Sequence, residues 1–215
     1  MIIKKFSIEE KAFFIGIEQF KIKSKNLFYE QFFNTFENIQ KKYKSIVIQV
    51  FNDEYVLNSD HILNACYYVE KAFLNNYNIS NKKNIELFLY LAANRQIKIA
   101  LEDFGLNKEA FNKGLINLCS ISSESSFQSI YEFETTFKIN NSEYYLDNYS
   151  QQKYKEIKLY HNFSDNQIET VLASYNIKIN LNNINDSDLP NLYLALNDLI
   201  CEKMALIYLE KFSFD

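Results

Sequence analysis

Ser45-Ile46-Val47-Ile48-Gln49-Val50-Phe51 is the stretch on which the fold turns. The run is too short for a helix, dense in β-branched residues and closed by the polar turn Asn52 to Glu54, so it reads as a buried strand. Directly after it, Asn58 and Ser59 offer N-caps for a helix with Ile62, Ala65, Cys66, Val69 and Phe73 on one face. A strand that hands over to an amphipathic helix sets the pattern for the chain.

Towards the N-terminus, Phe13 to Ile22 is short, rich in Phe and Ile and broken by Gly16, which again suits a strand. Between the two strands, Phe28, Phe32, Phe36, Ile39 and Tyr43 recur at helical spacing, with Ser24 or Asn26 as cap. Towards the C-terminus, Asn75 to Asn84 is a polar loop. Asn84 is placed to cap a helix through Ile85, Phe88, Leu89 and Ala92, and Asn94 to cap another through Ile97, Ala100, Leu101 and Phe104. Gly105 reads as a left-handed C′ stop.

Gly114 to Ile121 is a third strand, whereas Ser122 to Asn141 fits both helical and alternating spacing. Short helices are expected over Gln151 to Tyr160 and Asp165 to Leu172, the second opened by a capping box from Ser164 to Gln167. Asn180 to Ser187 is linker. The last helix is capped by Asp188, carries Pro190 in its first turn, and has the stripe Leu192, Leu196, Ile200, Met204 and Ile207. The expected fold is α+β: a single compact domain over residues 1–215, with a small, mainly antiparallel sheet of three or four strands and about seven or eight helices.

Composition agrees. The 215 residues are 47% hydrophobic and 23% charged, with 35 Phe and Tyr to fill a core, so a packed domain is expected rather than intrinsic disorder. Three Gly and one Pro are too few for a many-turned barrel or sandwich. Cys66, Cys119 and Cys201 sit in apolar runs without a C-x-x-C spacing, and His61 and His161 lie far apart, so reduced core thiols and no metal site are expected. Without a signal-like stretch or a membrane span, the protein is expected to be soluble and cytoplasmic, or nuclear as well in a eukaryote.

The net charge is −4, but residues 1–50 hold nine Lys against five Glu, which leaves −8 for the remainder. A broad polyanion-binding face is therefore disfavoured. No phosphate loop, nucleophile elbow or zinc-protease motif occurs, and Glu9-Glu10 and Asp186 with Asp188 lie at expected element ends. These residues favour a binding role over catalysis, and no cofactor is implied.

Arg95, the only arginine, opens a helix after Ala92-Ala93-Asn94. Two readings stand: an anion site formed with the backbone N–H groups of the helix start, or a structural arginine paired with Glu86 or Asp103 or covering apolar surface.

His61-Ile62-Leu63-Asn64-Ala65-Cys66, then Glu86-Leu87-Phe88-Leu89-Tyr90-Leu91-Ala92-Ala93-Asn94-Arg95-Gln96-Ile97, then Ala100-Leu101-Glu102-Asp103-Phe104-Gly105-Leu106, resembles the KEOPS accessory-subunit family related to PRPK-binding protein. Leu196 to Ile207 is similar to that family's last helix; residues 122–187 are longer and more polar than the family suggests. The resemblance implies a non-catalytic subunit of the complex that makes threonylcarbamoyladenosine in tRNA. Its implied partners are the kinase-like ATPase subunit and the 3′ CCA acceptor end of tRNA. On that basis Arg95, Gln96, Lys98 and His61 are candidate tRNA contacts, with Lys21, Lys23 and Lys25 adding positive field. Tyr193, Leu199 and Tyr208, off the main stripe of the last helix, are candidates for partner binding. The alternative is a stand-alone protein-interaction domain with the same fold and no RNA role.

Overall fold

The computed structural model describes residues 1–21, 28–113, 115–137 and 145–209, apart from the side chain of Lys113. The expected cap Ser24 or Asn26, the lysines Lys23 and Lys25, Gly114 and the last part of the ambiguous 122–141 segment lie outside them. Strands β1 (Ile2–Ile8), β2 (Lys11–Lys21), β3 (Val47–Asn52) and β4 (Leu115–Ser122) form one antiparallel sheet in the order β1-β2-β4-β3. The helices are α1 (Tyr29–Lys42), α2 (Ser59–Leu74), α3 (Lys83–Leu91), α4 (Ile97–Phe104), the six-residue α5 (Lys108–Lys113), α6 (Gln128–Phe137), α7 (Gln151–Tyr160), α8 (Asp165–Ser174) and α9 (Leu189–Leu209). The fold is α+β, as the patterning predicts.

Period-two alternation gives the sheet two different faces. Ile15, Ile17, Phe51, Cys119 and Ile121 face a core built with α2, α3, α8 and α9. The alternate positions Phe20, Ile48, Val50, Ile116 and Leu118 face a smaller aromatic core with α1, α5 and α6. Gly16 belongs to this second face, where a Cβ would come within 2.4 Å of Ile130 Cδ1 and 2.8 Å of Phe127 Cδ1. It is a close-packing glycine that lets α6 lie on β2.

Glycine is scarce, and asparagine takes over its task at helix ends. Asn76, Asn162 and Asn176 have φ of 59, 53 and 60° after α2, α7 and α8, and the N–H of the next residue reaches back to Ala72, Lys158 and Leu172 O. These are Schellman closures with asparagine at C′. Gly105 differs from expectation: at φ −64° and ψ 145° it is extended, not left-handed. Close approach selects it instead, because a Cβ there would lie 2.3 Å from Leu101 O.

Other caps also differ. The Asn84 amide reaches across to Ile48 O and Gln49 Oε1, which leaves Lys82 as the N-cap of α3 with no side-chain bond. Asp188 closes the 3₁₀ turn before α9 by accepting from the Asn185 N–H. The capping box at Ser164 and Gln167 is formed as expected.

Candidate functional site

The stretch that carries the family resemblance folds as a helix, a tight turn and a second helix. Glu86 is fully buried at the base of α3, its carboxylate accepting from the N–H groups of Ile79 (3.0 Å) and Ser80 (2.7 Å), which anchors the preceding loop. The other end of α3 closes as a complete Schellman motif, Asn94 N–H to Leu89 O and Ala93 N–H to Tyr90 O, both at 3.0 Å. Here the left-handed residue is Ala93, at φ 45°. An alanine in that region costs about 1–2 kcal/mol, so this turn is strained where the asparagine turns are not.

Arg95 leaves the turn half-buried and donates from Nη1 to Ile207 O at 3.2 Å, tying the start of α4 to the end of α9. Gln96 is the exposed N-cap of α4; its backbone N–H is taken by Asn94 Oδ1 at 2.9 Å, and its own side chain does not cap. Lys98, 84% exposed, stands 3.8 Å from Glu102 one turn on. Ile97 and Leu101 are exposed beside them. Arg95, Gln96 and Lys98 thus share one surface turn.

His61 does not join them. It is fully buried, Nδ1 accepting from the Leu57 N–H (3.2 Å) and Nε2 lying 3.0 Å from Leu91 O. That pair of partners defines a neutral imidazole with the proton on Nε2. Burial holds its pKa down at about 4. His61 supports the last turn of α3 from beneath, and with both nitrogens engaged it has none to offer a ligand.

The three α9 residues expected at a partner surface are also interior. Tyr193 is 1% exposed, its hydroxyl accepting from the Ser150 N–H (3.0 Å) and donating to Ser150 O (3.2 Å). Leu199 and Tyr208 are buried too, and Asn75 donates to the Tyr208 hydroxyl. The second apolar face of α9 is covered by α2, α7 and α8 of its own domain. The exposed leucines of α9 are Leu194, Leu206 and Leu209.

No family model and no curated protein matches this chain.

A large cavity lies elsewhere among the described residues. A cleft of ≈ 760 Å³ opens where the end of the sheet meets α7, lined among others by Asp53, Tyr55, Tyr145, Lys153, Glu156 and Tyr160. Its floor follows from the register. On the face towards the main core the apolar run of three strands ends in a polar residue at nearly one level: Gln19 opposite Asn117, and Asp53 two residues beyond Phe51, which pairs with Asn117. Gln19 and Asn117 are buried and both donate 2.9 Å hydrogen bonds to Asp53 Oδ1, while Lys153 Nζ stands 3.4 Å from Oδ2. Fully engaged amides on two central strands hold this carboxylate in one place.

Above the floor, Tyr55 and Tyr160 stack with centroids 4.1 Å apart, and the Tyr160 hydroxyl donates to Asp103 Oδ2 at 2.7 Å. Burial and the neighbouring carboxylates raise the pKa of both phenols, so they stay protonated. Neither histidine lines the cleft. Among the described residues no group of His, Cys, Asp and Glu is placed to hold a metal ion, and no helix is long and apolar enough to cross a membrane.

Sequence reading missed this cleft. The signal available was the polar residue where an inward-facing strand position should be apolar: Gln19 after Ile15 and Ile17, and Asn117 before Cys119 and Ile121.

Proposed function

We propose that the protein is a non-catalytic subunit of KEOPS that binds the kinase-like ATPase of the complex and the 3′ CCA end of substrate tRNA. The observation that carries the reading is the placement of the family-like stretch Glu86 to Leu106. It forms one buried helix, one strained turn and one surface helix, and it sets Arg95, Gln96 and Lys98 side by side at the start of α4. The N–H groups of a helix start, a guanidinium held by a backbone carbonyl and an exposed lysine only loosely paired with Glu102 suit a single phosphate or a terminal nucleotide rather than a long duplex. A chain of net charge −4 fits such a local contact, with partner subunits supplying the remaining positive surface.

The test is a gel shift against tRNA with and without its CCA end, next to a pull-down with the kinase-like ATPase. Arg95→Ala should weaken tRNA binding and lower the salt slope by about one, with a modest loss of stability from the missing bond to Ile207 O but a domain that still folds. Indifference to the CCA end, or an Arg95→Ala variant with wild-type affinity and slope, removes the RNA role.

The cleft favours a second reading, a stand-alone protein-interaction domain of the same fold. Co-purification from the native source separates the two, since that reading requires a partner outside the complex.

A further inference from the structure

We propose that the cleft between the sheet end and α7 docks a basic, extended segment of a protein partner. The inference holds whether or not the chain belongs to KEOPS.

The argument starts from charge. The cleft runs into a smaller pocket of ≈ 200 Å³, with which it shares Asn52, Glu54, Tyr55 and Ala110. Among the described residues the two are lined by the carboxylates Asp53, Glu54, Glu102, Asp103, Glu109 and Glu156, with Lys153 in the lining and Lys98 3.8 Å from Glu102. The chain as a whole is only −4, so this groove holds the acidic centre of a molecule whose first fifty residues are positive. Field lines focus in such a cleft, and they attract cations and repel nucleic acid.

Shape and apolar content take the argument past a bare cluster of acids. The stacked Tyr55 and Tyr160 present a flat aromatic wall, on which an arginine guanidinium or a lysine stem packs well. At the rim Leu159 is 81% exposed, the most exposed large apolar side chain among the described residues. It stands on α7 one turn after Glu156, so the helix offers an apolar and an acidic contact to the same occupant. Alternating basic and apolar side chains of an extended segment satisfy both.

Rigidity completes it. Asp53 is fixed by Gln19 and Asn117 in the central strands, so the floor is organised before anything binds. Lys153 sits 3.4 Å from Asp53 and balances part of the floor while the cleft is open, and an incoming cation competes with it.

The probe is a fluorescein-labelled nonapeptide of alternating arginine and leucine, followed by fluorescence anisotropy. A glutamate-leucine nonapeptide, spermine and a single-stranded RNA nonamer serve as comparators. The basic peptide should bind in a saturable, salt-sensitive way and the other three weakly. Glu156→Lys, at an exposed position whose carboxylate accepts from the Gln152 amide, should cost about tenfold and flatten the salt dependence. Leu159→Ser should cost about threefold and leave the salt slope unchanged. Glu37→Lys on α1, exposed and in the lining of neither the cleft nor the smaller pocket, should bind as wild type. Equal loss in Glu37→Lys and Glu156→Lys would mean diffuse attraction and overturn the proposal. So would spermine binding as tightly as the peptide, RNA competing for the cleft, or wild-type affinity in Leu159→Ser.

Discussion

The α3–α4 turn and the cleft at the end of the sheet are built in opposite ways. The turn is mostly local: Glu86 to Glu102 lie within two helical segments, and more distant support comes from the Ile207 carbonyl under Arg95 and the His61 ring beneath Leu91. The cleft is assembled over long range, with Gln19, Asn117 and Lys153 lying 34, 64 and 100 residues from Asp53. One carries sparse positive charge and backbone strain; the other carries dense negative charge and a saturated hydrogen-bond floor. Two such surfaces suit two ligands of opposite sign, and each can be disturbed separately.

The largest effect is expected at the cleft floor. Asn117→Ala removes the amide that donates to Asp53 and accepts from Gln19, leaving both partners short of a hydrogen bond in a buried place. The cost should be about 3 kcal/mol, read from urea unfolding. Hydrogen exchange should show the loss concentrated at the ends of β2 and β4 and in α7. Equal deprotection of α4 would mean that the two regions are one cooperative unit and that the contrast between them fails.

A fall in pH tests both regions together, because a histidine pair joins them. His61 supports the last turn of α3, His161 follows α7 beside the cleft, and the two rings lie 6.2 Å apart, both buried. Burial lowers both pKa values, that of His61 to about 4. Each histidine is thus neutral when folded but takes a proton near 6.5 when unfolded. The stabilisation is complete above that value and is lost as the pH falls towards the folded pKa. As the pH falls from 6.5 towards 5 the slope should steepen to about 1.4 kcal/mol per pH unit for each histidine. Urea melts of His161→Phe should show half the wild-type slope. An unchanged slope would place the acid sensitivity elsewhere.

This contrast also explains how far the residues could be read in advance. Strands β2, β3 and β4, helix α2 with Asn58 accepting from the His61 N–H, the capping box of α8 and the stripe of α9 follow from spacing and caps, which are local. The turn with Arg95 was visible for the same reason. Strand β1 escaped because its Lys4, Lys5 and Ser7 dilute the alternation that its pairing with β2 reveals. Helix α5 is too short for periodicity to register. His61 is a candidate tRNA contact only by its place in a first helical turn; the Leu91 carbonyl, thirty residues on, holds its ring in the interior. Tyr193, Leu199 and Tyr208 looked spare on α9 because a helical wheel counts one buried face, and this helix is covered on more than one side. The cleft was invisible because its floor exists only once three strands are in register.

A smaller effect separates strain from its absence at two helix ends. Ala93→Gly frees the left-handed residue of the α3–α4 turn and should stabilise the protein by about 1 kcal/mol, net of the extra unfolded-state freedom of glycine. Asn162→Gly, at the same C′ position after α7 beside the cleft, should change stability by less than about 0.5 kcal/mol, since asparagine already tolerates that conformation. Thermal melts of the two variants give the comparison directly. If both gain equally, Ala93 is not strained and the turn has no special geometry.

The smallest stability change and the sharpest separation of the two surfaces come from Lys98→Ala. The side chain is 84% exposed and its partner Glu102 stands 3.8 Å away, also exposed, so the pair contributes little against solvent and salt. Unfolding free energy should move by less than about 0.5 kcal/mol. If the α4 start meets a tRNA phosphate, the salt slope for tRNA should nevertheless fall by about one. Binding of the arginine-leucine peptide should be unaffected or slightly tighter, because Glu102 at the edge of the acidic groove loses its counterion. A variant that weakens both ligands in parallel would show that α4 and the cleft form one continuous surface. Loss for tRNA alone, at constant stability, would establish two.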